Sequence, residues 1–191
     1  MRWRVAIGVL STVFVIAYPL VIYYGLTHLS ARAVSAMVLA LLVPGIAIRF
    51  RNADRATLGS LLRIPIAILV LMVFGMSTND SRFVLAMPVL INTALLIEFG
   101  STLRDGAMPM IERFARMQVP ELDAPRQKHC RQWTVLWCVF FVMNGATAAL
   151  FAIFAPLEWW TIYTGAIAYA LMGSMFVIER VHRYFRFERE A

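Results

Sequence analysis

Charge is scarce in this 191-residue chain. Asp, Glu, Lys and Arg make up 15% of it, against 61% hydrophobic residues and a mean hydropathy of +0.72. A soluble domain of this size has no interior large enough to hide so much apolar surface, so an ordinary soluble globular protein is excluded. Cysteine is nearly absent. Cys138 sits inside an apolar run and Cys130 just before it, so no disulfide is expected. The three histidines, His28, His129 and His182, are scattered along the chain. His129 beside Cys130 is too small a fragment for a metal site, which needs more ligands in workable geometry. There is no G-x-S-x-G, no Gly-rich phosphate loop and no H-E-x-x-H. Nor is any histidine followed by an acid four positions on, since His129 is followed there by Trp133 and His28 by Arg32. The expectation is therefore no catalytic residue, no cofactor and no metal. Apolar residues do not alternate with polar ones, which argues against a membrane barrel, and no low-complexity segment or strong internal repeat occurs.

What the chain has in quantity is long apolar runs. They fall at residues 5–26, 33–48, about 58–76, 83–99, 133–154 and 159–178. Several approach the roughly 20 residues needed to cross a hydrocarbon core as a helix. The first run follows Arg2, Trp3 and Arg4 like a signal peptide, but no small-residue cleavage site precedes Thr27, so it reads as a retained anchor. The second is short, and Arg32 and Arg49 can lay their stems along its ends. The third has two readings. A helix begins near Thr57 and carries Arg63 along, or 57–63 lies on the surface and Pro65 opens the span at Ile64.

The basic residues orient these runs. Arg32 and Arg82 fall on one set of connectors, and the other sixteen of the eighteen Lys and Arg fall on the opposite set. Basic residues are retained on the cytoplasmic side, so the rich side faces inward. This predicts an all-α integral membrane protein of the bacterial inner membrane, with six transmembrane helices as three antiparallel hairpins, N-in and C-in. The connectors 27–32, 77–82 and 155–158 are short outer turns. The net charge of +7 is explained by this topology pattern, and nucleic acid is not an expected partner.

One long polar stretch remains, the inner loop 100–132. Within it, 109–119 reads as an amphipathic interfacial helix between helices four and five. Met110, Ile111, Phe114 and Met117 share one face, and Glu112, Arg113 and Arg116 the other. The apolar face lies in the inner headgroup plane or packs on the ends of other helices; the residues leave both open. The following stretch, through Glu121 and Asp123, reads as a polar, Pro-punctuated loop that re-enters the membrane at Trp133.

Candidate functional positions follow from this layout. Glu98, Arg104, Arg113, Arg116 and Arg131 belong to a basic inner surface suited to anionic lipid headgroups or an acidic partner. Glu98 is expected to pair with Arg104 or Arg63. Asn92 and Asn144 lie deeper and suit interhelical hydrogen bonds, and Glu179 with Arg180 closes the last run.

A run of positions carries a resemblance. It begins Phe99, Gly100, Ser101, Thr102, Leu103, Arg104 and continues through Gly106, Pro109, Ile111, Arg113, Ala115, Arg116, Glu121 and Leu122. A later half includes Arg131, Thr134, Trp137, Phe140, Phe141, Asn144, Ala155, Pro156, Glu158, Trp159, Trp160, Tyr169 and Glu179, then the tail Arg183, Tyr184, Phe185, Arg186, Phe187. This pattern, over roughly 95–187, resembles a family of small bacterial inner-membrane proteins. They are encoded among ketosynthases, acyl carrier proteins, acyltransferases and an exporter in aryl-polyene or xanthomonadin-type clusters. That family shows an aromatic residue near 128–130, where this chain has His129. The resemblance implies a membrane and a pathway of lipid or pigment assembly, and it implies no activity.

Three functions fit. The first is a non-enzymatic accessory protein that docks acyl-chain machinery, such as an acidic acyl carrier protein, at the cytoplasmic face. The second is a lipid transporter or flippase subunit whose proline-interrupted spans, with Asn92, Asn144 and Glu98, line a path. So small a unit would need to form a homo-oligomer to enclose one. The third is a membrane-embedded acyl or glycosyl transferase using Glu98 and Arg104, which the lack of a clustered acid, base and nucleophile disfavours.

Overall fold

The structure is a computed structural model that describes residues 18–52 and 55–188. Arg2, Arg4, most of the first apolar run and Arg189 lie outside the described residues. Every regular element among the described residues is helical. Helix α1 covers residues 18–28, followed by α2 (Ala31–Asn52), α3 (Arg55–Thr78), α4 (Ser81–Leu85) and α5 (Met87–Ser101). Then come α6 (Met110–Arg116), α7 (Ala124–Phe154), α8 (Leu157–Ile162) and α9 (Ala168–Arg183). Two π-helical turns interrupt or extend the last helix, at Tyr163–Ile167 and Tyr184–Glu188.

Three stretches are long and apolar enough to cross a bilayer: Ser81–Ser101, Ala124–Phe154 and Leu157–Phe187, of 21, 31 and 31 residues. Two further apolar stretches, Ala31–Pro44 and Ile64–Thr78, lie within the longer helices α2 and α3. Helix α3 is continuous from Arg55 through Pro65, so the stretch at 57–63 and the apolar run after it form one element. The chain divides into two units, Met1–Pro88 with Ala148–Leu171, and Val89–Thr147 with Met172–Ala191.

In the first unit, Ile22, Val34, Met72, Val84, Leu85, Met87 and Trp160 form the core. Two connectors there are two residues long, Leu29–Ser30 and Asn79–Asp80, and a third is Ala155–Pro156. Asn79 takes the left-handed backbone (φ 55°) that this residue type tolerates. Its Oδ1 accepts the Arg32 N–H at 2.9 Å, and Arg32 Nε donates to the Met76 carbonyl at 3.0 Å. The single arginine thus joins two of the turns. Asp80 caps α4 by accepting the Arg82 N–H at 2.9 Å.

Between α4 and α5 the helix breaks, and the sequence shows why. Pro88 has no N–H to offer the Val84 carbonyl four residues earlier. That carbonyl is met by a backbone N–H just past the end of α4 and also by Tyr18, whose hydroxyl donates to Val84 O at 3.3 Å. The Trp160 indole Nε1 donates to the neighbouring carbonyl of Leu85 at 3.2 Å. The break therefore turns two carbonyls into attachment points for aromatic side chains.

Helices α2 and α3 come close together at Gly75. A Cβ at Gly75 would stand 2.6 Å from Ser35 Oγ and 3.3 Å from Phe83 Cβ. That hydroxyl is fully buried and makes no hydrogen bond among the described residues. Gly75→Ala is accordingly expected to destabilise the protein by about 1–3 kcal/mol through overpacking. Adding Ser35→Ala removes both the obstruction and an uncompensated buried hydroxyl, and most of the loss should return. Unfolding titrations in mixed micelles of the two single variants and the double variant measure this; a double variant no better than Gly75→Ala refutes it.

In the second unit, α6 is fixed at its start. Pro109 precedes it and offers no side-chain cap, so its first N–H groups need other partners. Thr102 Oγ1 accepts from Met110 N at 3.0 Å, and Thr134 Oγ1 accepts from Ile111 N at 3.3 Å. Both threonines are buried. Thr134 belongs to α7, so α6 is tied directly to that helix. One expectation is corrected here: the helix is seven residues long rather than spanning 109–119. Its exposed side mixes Arg113 with Phe114 and Met117. Glu112 is 6% exposed while Met117 is 75% exposed and Phe114 is also exposed. The carboxylate turns inward because Arg116 meets it, with Nη2 and Nε at 2.7 and 2.9 Å from Oε1.

Helix α7 also begins earlier than the expected re-entry at Trp133. Asp123 accepts the Arg126 N–H at 3.1 Å and Pro125 occupies the first turn, so 124–132 is helix rather than loop. The last helix likewise runs past 178 to Glu188.

Candidate functional site

The candidate residues read from the sequence all lie in the second unit, and the structure sorts them. Asn144 Nδ2 donates to Asn92 Oδ1 at 3.0 Å, and both residues are buried. Gly145 permits the approach, since a Cβ there would stand 3.1 Å from Asn92 Cβ. Glu98 is exposed, and among the described residues no ion pair joins it to Arg104. The expected Glu98–Arg104 pairing is therefore not formed; the side chain of Arg63 is not among those described. Arg104 and Arg113 are exposed. Arg116 is committed to Glu112 and to the Pro120 carbonyl at 2.9 Å, and Arg131 Nη2 donates to the Leu103 carbonyl at 2.8 Å. Of the five basic-surface candidates, two exposed cations remain that no hydrogen bond or ion pair engages among the described residues.

Glu179, at the end of the last apolar run, faces a histidine and an arginine. Its Oε1 lies 3.5 Å from His129 Nε2 and 4.0 Å from Arg183 Nε. His129 is 2% exposed, and its ring stacks on His182 at 5.1 Å between centroids. Phe187 meets the same ring edge-on at 5.4 Å, with the guanidinium groups of Arg126 and Arg186 5.7 and 5.4 Å from the phenyl centroid. Neither ring nitrogen of His129 reaches hydrogen-bond geometry, so the contact with Glu179 is one of proximity. Among the described residues no three His, Cys, Asp or Glu side chains form a set able to hold a metal.

This cluster borders a cavity of about 440 Å³. On α7 its lining residues are Arg126, His129, Cys130 and Trp137, spaced as one face of a helix. On the last helix they are Phe176, Glu179, Arg180, Arg183 and Phe187, again one face. Ile111, Phe114 and Ala115 of α6 contribute further wall, continued by Gln118, Val119 and Leu122. Trp137 and Phe176 touch at 4.8 Å between ring centroids, within an aromatic group that includes Phe141 and Phe99. The arrangement offers an apolar interior, a positive excess toward one end and a buried imidazole close to that end. Sequence reasoning dismissed His129 as part of a metal fragment and gave it no other role. A usable signal was present in the matched three- and four-residue spacing of the two lining faces. No family model matches this chain, and neither a curated protein nor a solved structure matches it.

Proposed function

We propose that the protein is a non-enzymatic accessory component of the bacterial inner membrane, arranged as six spans with both termini inside. In this reading it holds acyl-chain machinery, above all an acidic acyl carrier protein, at the cytoplasmic face during aryl-polyene-type lipid or pigment assembly or export. The observation that carries the reading is the outward side of α6. Arg113 stands exposed there beside Phe114 and Met117, on a helix pinned at its start by two buried threonines. A rigid, basic and apolar surface of this kind complements an acidic partner. The lopsided distribution of Arg and Lys and the resemblance over 95–187 support the topology and the pathway. Anionic headgroups would be held by the same cations.

The alternatives draw less support. A transport path needs polar groups turned to a lumen, whereas Asn92 and Asn144 bond to each other. An acyl-transfer site built on Glu98 and Arg104 lacks a contact between them.

Association of the full-length protein in nanodiscs with the carrier protein encoded nearest to it tests the proposal. Binding should weaken with salt, and Arg104→Gln with Arg113→Gln should each reduce it by up to about fivefold at low ionic strength. Arg116 is unsuited to this test because it holds Glu112. Salt-independent binding, or none at all, removes the docking reading.

A further inference from the structure

We infer that the cavity bordered by α6, the start of α7 and the end of the last helix is a binding site for a single-chain amphiphile with an anionic head group. The inference does not rest on carrier docking, which concerns Arg104 and Arg113; the two can fail separately.

The shape is the first argument. On α7 the lining face runs from Arg126 to Trp137, and on the last helix from Phe187 back to Phe176. Each face spans eleven residue steps, roughly 16 Å at helical rise. The space is therefore long relative to its volume of about 440 Å³, which lies within the roughly 300–1,000 Å³ typical of small-molecule sites. A long narrow space suits one chain.

Polarity is the second argument. Both faces grade in the same direction. Trp137 and Phe176 mark the apolar end, Arg126 and Arg183 lie toward the other, and Arg180 stands between them with Glu179, the one acid of the lining. An aliphatic tail fits the first end and an anion the second. One turn along α7 from Arg126, His129 is nine-tenths buried and more, and its Nδ1 has no hydrogen-bond partner. A buried polar atom left without a partner calls for one, and a head-group oxygen supplies it.

A carboxylate and a phosphate share this chemistry, and the test separates them. The full-length protein in phosphatidylcholine nanodiscs is titrated with a dibromo fatty carboxylate, with the matching alkyl phosphate and with the matching neutral alcohol. Bromine quenches tryptophan at contact, so the site is read as the quenching present in the parent protein and missing from Trp137→Phe. The expected result is a saturable Trp137 component for one or both anions; which anion gives it identifies the head group. The alcohol should bind at least about tenfold more weakly, and Arg126→Gln with Arg180→Gln should cost about tenfold or more for the anion. Ala115→Trp, which fills the wall of the cavity, should abolish the component; should that variant not fold, the arginine pair carries the test. No saturable component with either anion, equal quenching by the alcohol, or unchanged binding in the arginine double variant each overturns the inference.

Discussion

Trp160→Ala is expected to cost the protein about 3–5 kcal/mol of stability, the range for removing a large buried aromatic ring. The residue is 0% exposed and sits in the core formed by Ile22, Val34, Met72, Val84, Leu85 and Met87. Two losses combine. The cavity left behind forfeits the ring's dispersion contacts, a term that persists in lipid because it depends on packing rather than on water. The Leu85 carbonyl also loses its indole donor at a place where Pro88 has already disturbed the helix. Trp160→Phe separates the two, since it keeps most of the volume and deletes the N–H. It should cost about 1–3 kcal/mol, the penalty of a buried acceptor left unbonded. Reversible unfolding in bicelles measures both, and a Phe variant as damaged as the Ala variant would show that the hydrogen bond dominates.

Arg116→Ala is expected to lower stability by about 3 kcal/mol, near the bottom of the range for breaking a buried ion pair. The asymmetry of the pair sets this prediction. The Glu112 side chain is 8% exposed and the Arg116 side chain 29%. Deleting the arginine strands a carboxylate in the interior, while deleting the glutamate leaves a guanidinium that reaches solvent and keeps the Pro120 carbonyl. Glu112→Ala should therefore cost only about 1 kcal/mol. The double change Glu112→Leu with Arg116→Met should approach the parent, because matched apolar replacement of such pairs is often neutral. Equal losses for the two single variants would show that the carboxylate is effectively solvated.

Hydropathy carried a large part of this fold in plain view. The helical class and the apolar stretches at 83–99, 133–154 and 159–178 follow from composition and run length alone. The runs extend as helix well beyond their apolar parts, and there hydropathy is silent. The start of α7 depends on Asp123 with Pro125, a capping signal hidden inside a stretch that reads as loop. Glu112 shows a different limit. Its spacing from Arg116 predicts the i,i+4 pair that forms, but not that the pair turns inward and leaves Phe114 outside. Thr102 and Thr134 hold the start of α6, and Thr134 lies 23 positions further along the chain from its partner Ile111. The site was harder still. His129 and Glu179 are fifty positions apart, and neither has a local motif that announces the other. Only the stripe on each helix was available, and a stripe without a partner reads as ordinary packing.

The π turn at Tyr184–Glu188 has a consequence for the imidazole it overlooks. His182 and Phe187 are five residues apart, yet both rings contact His129. On a regular α-helix positions five apart point about 140° away from each other. The wider winding of a π turn brings them nearer to one side. The roof over His129 is thus held by pitch. Rewinding those few residues by a single hydrogen-bond step would swing the phenyl aside, and the width of the slot would change without any movement of the helix that carries the imidazole.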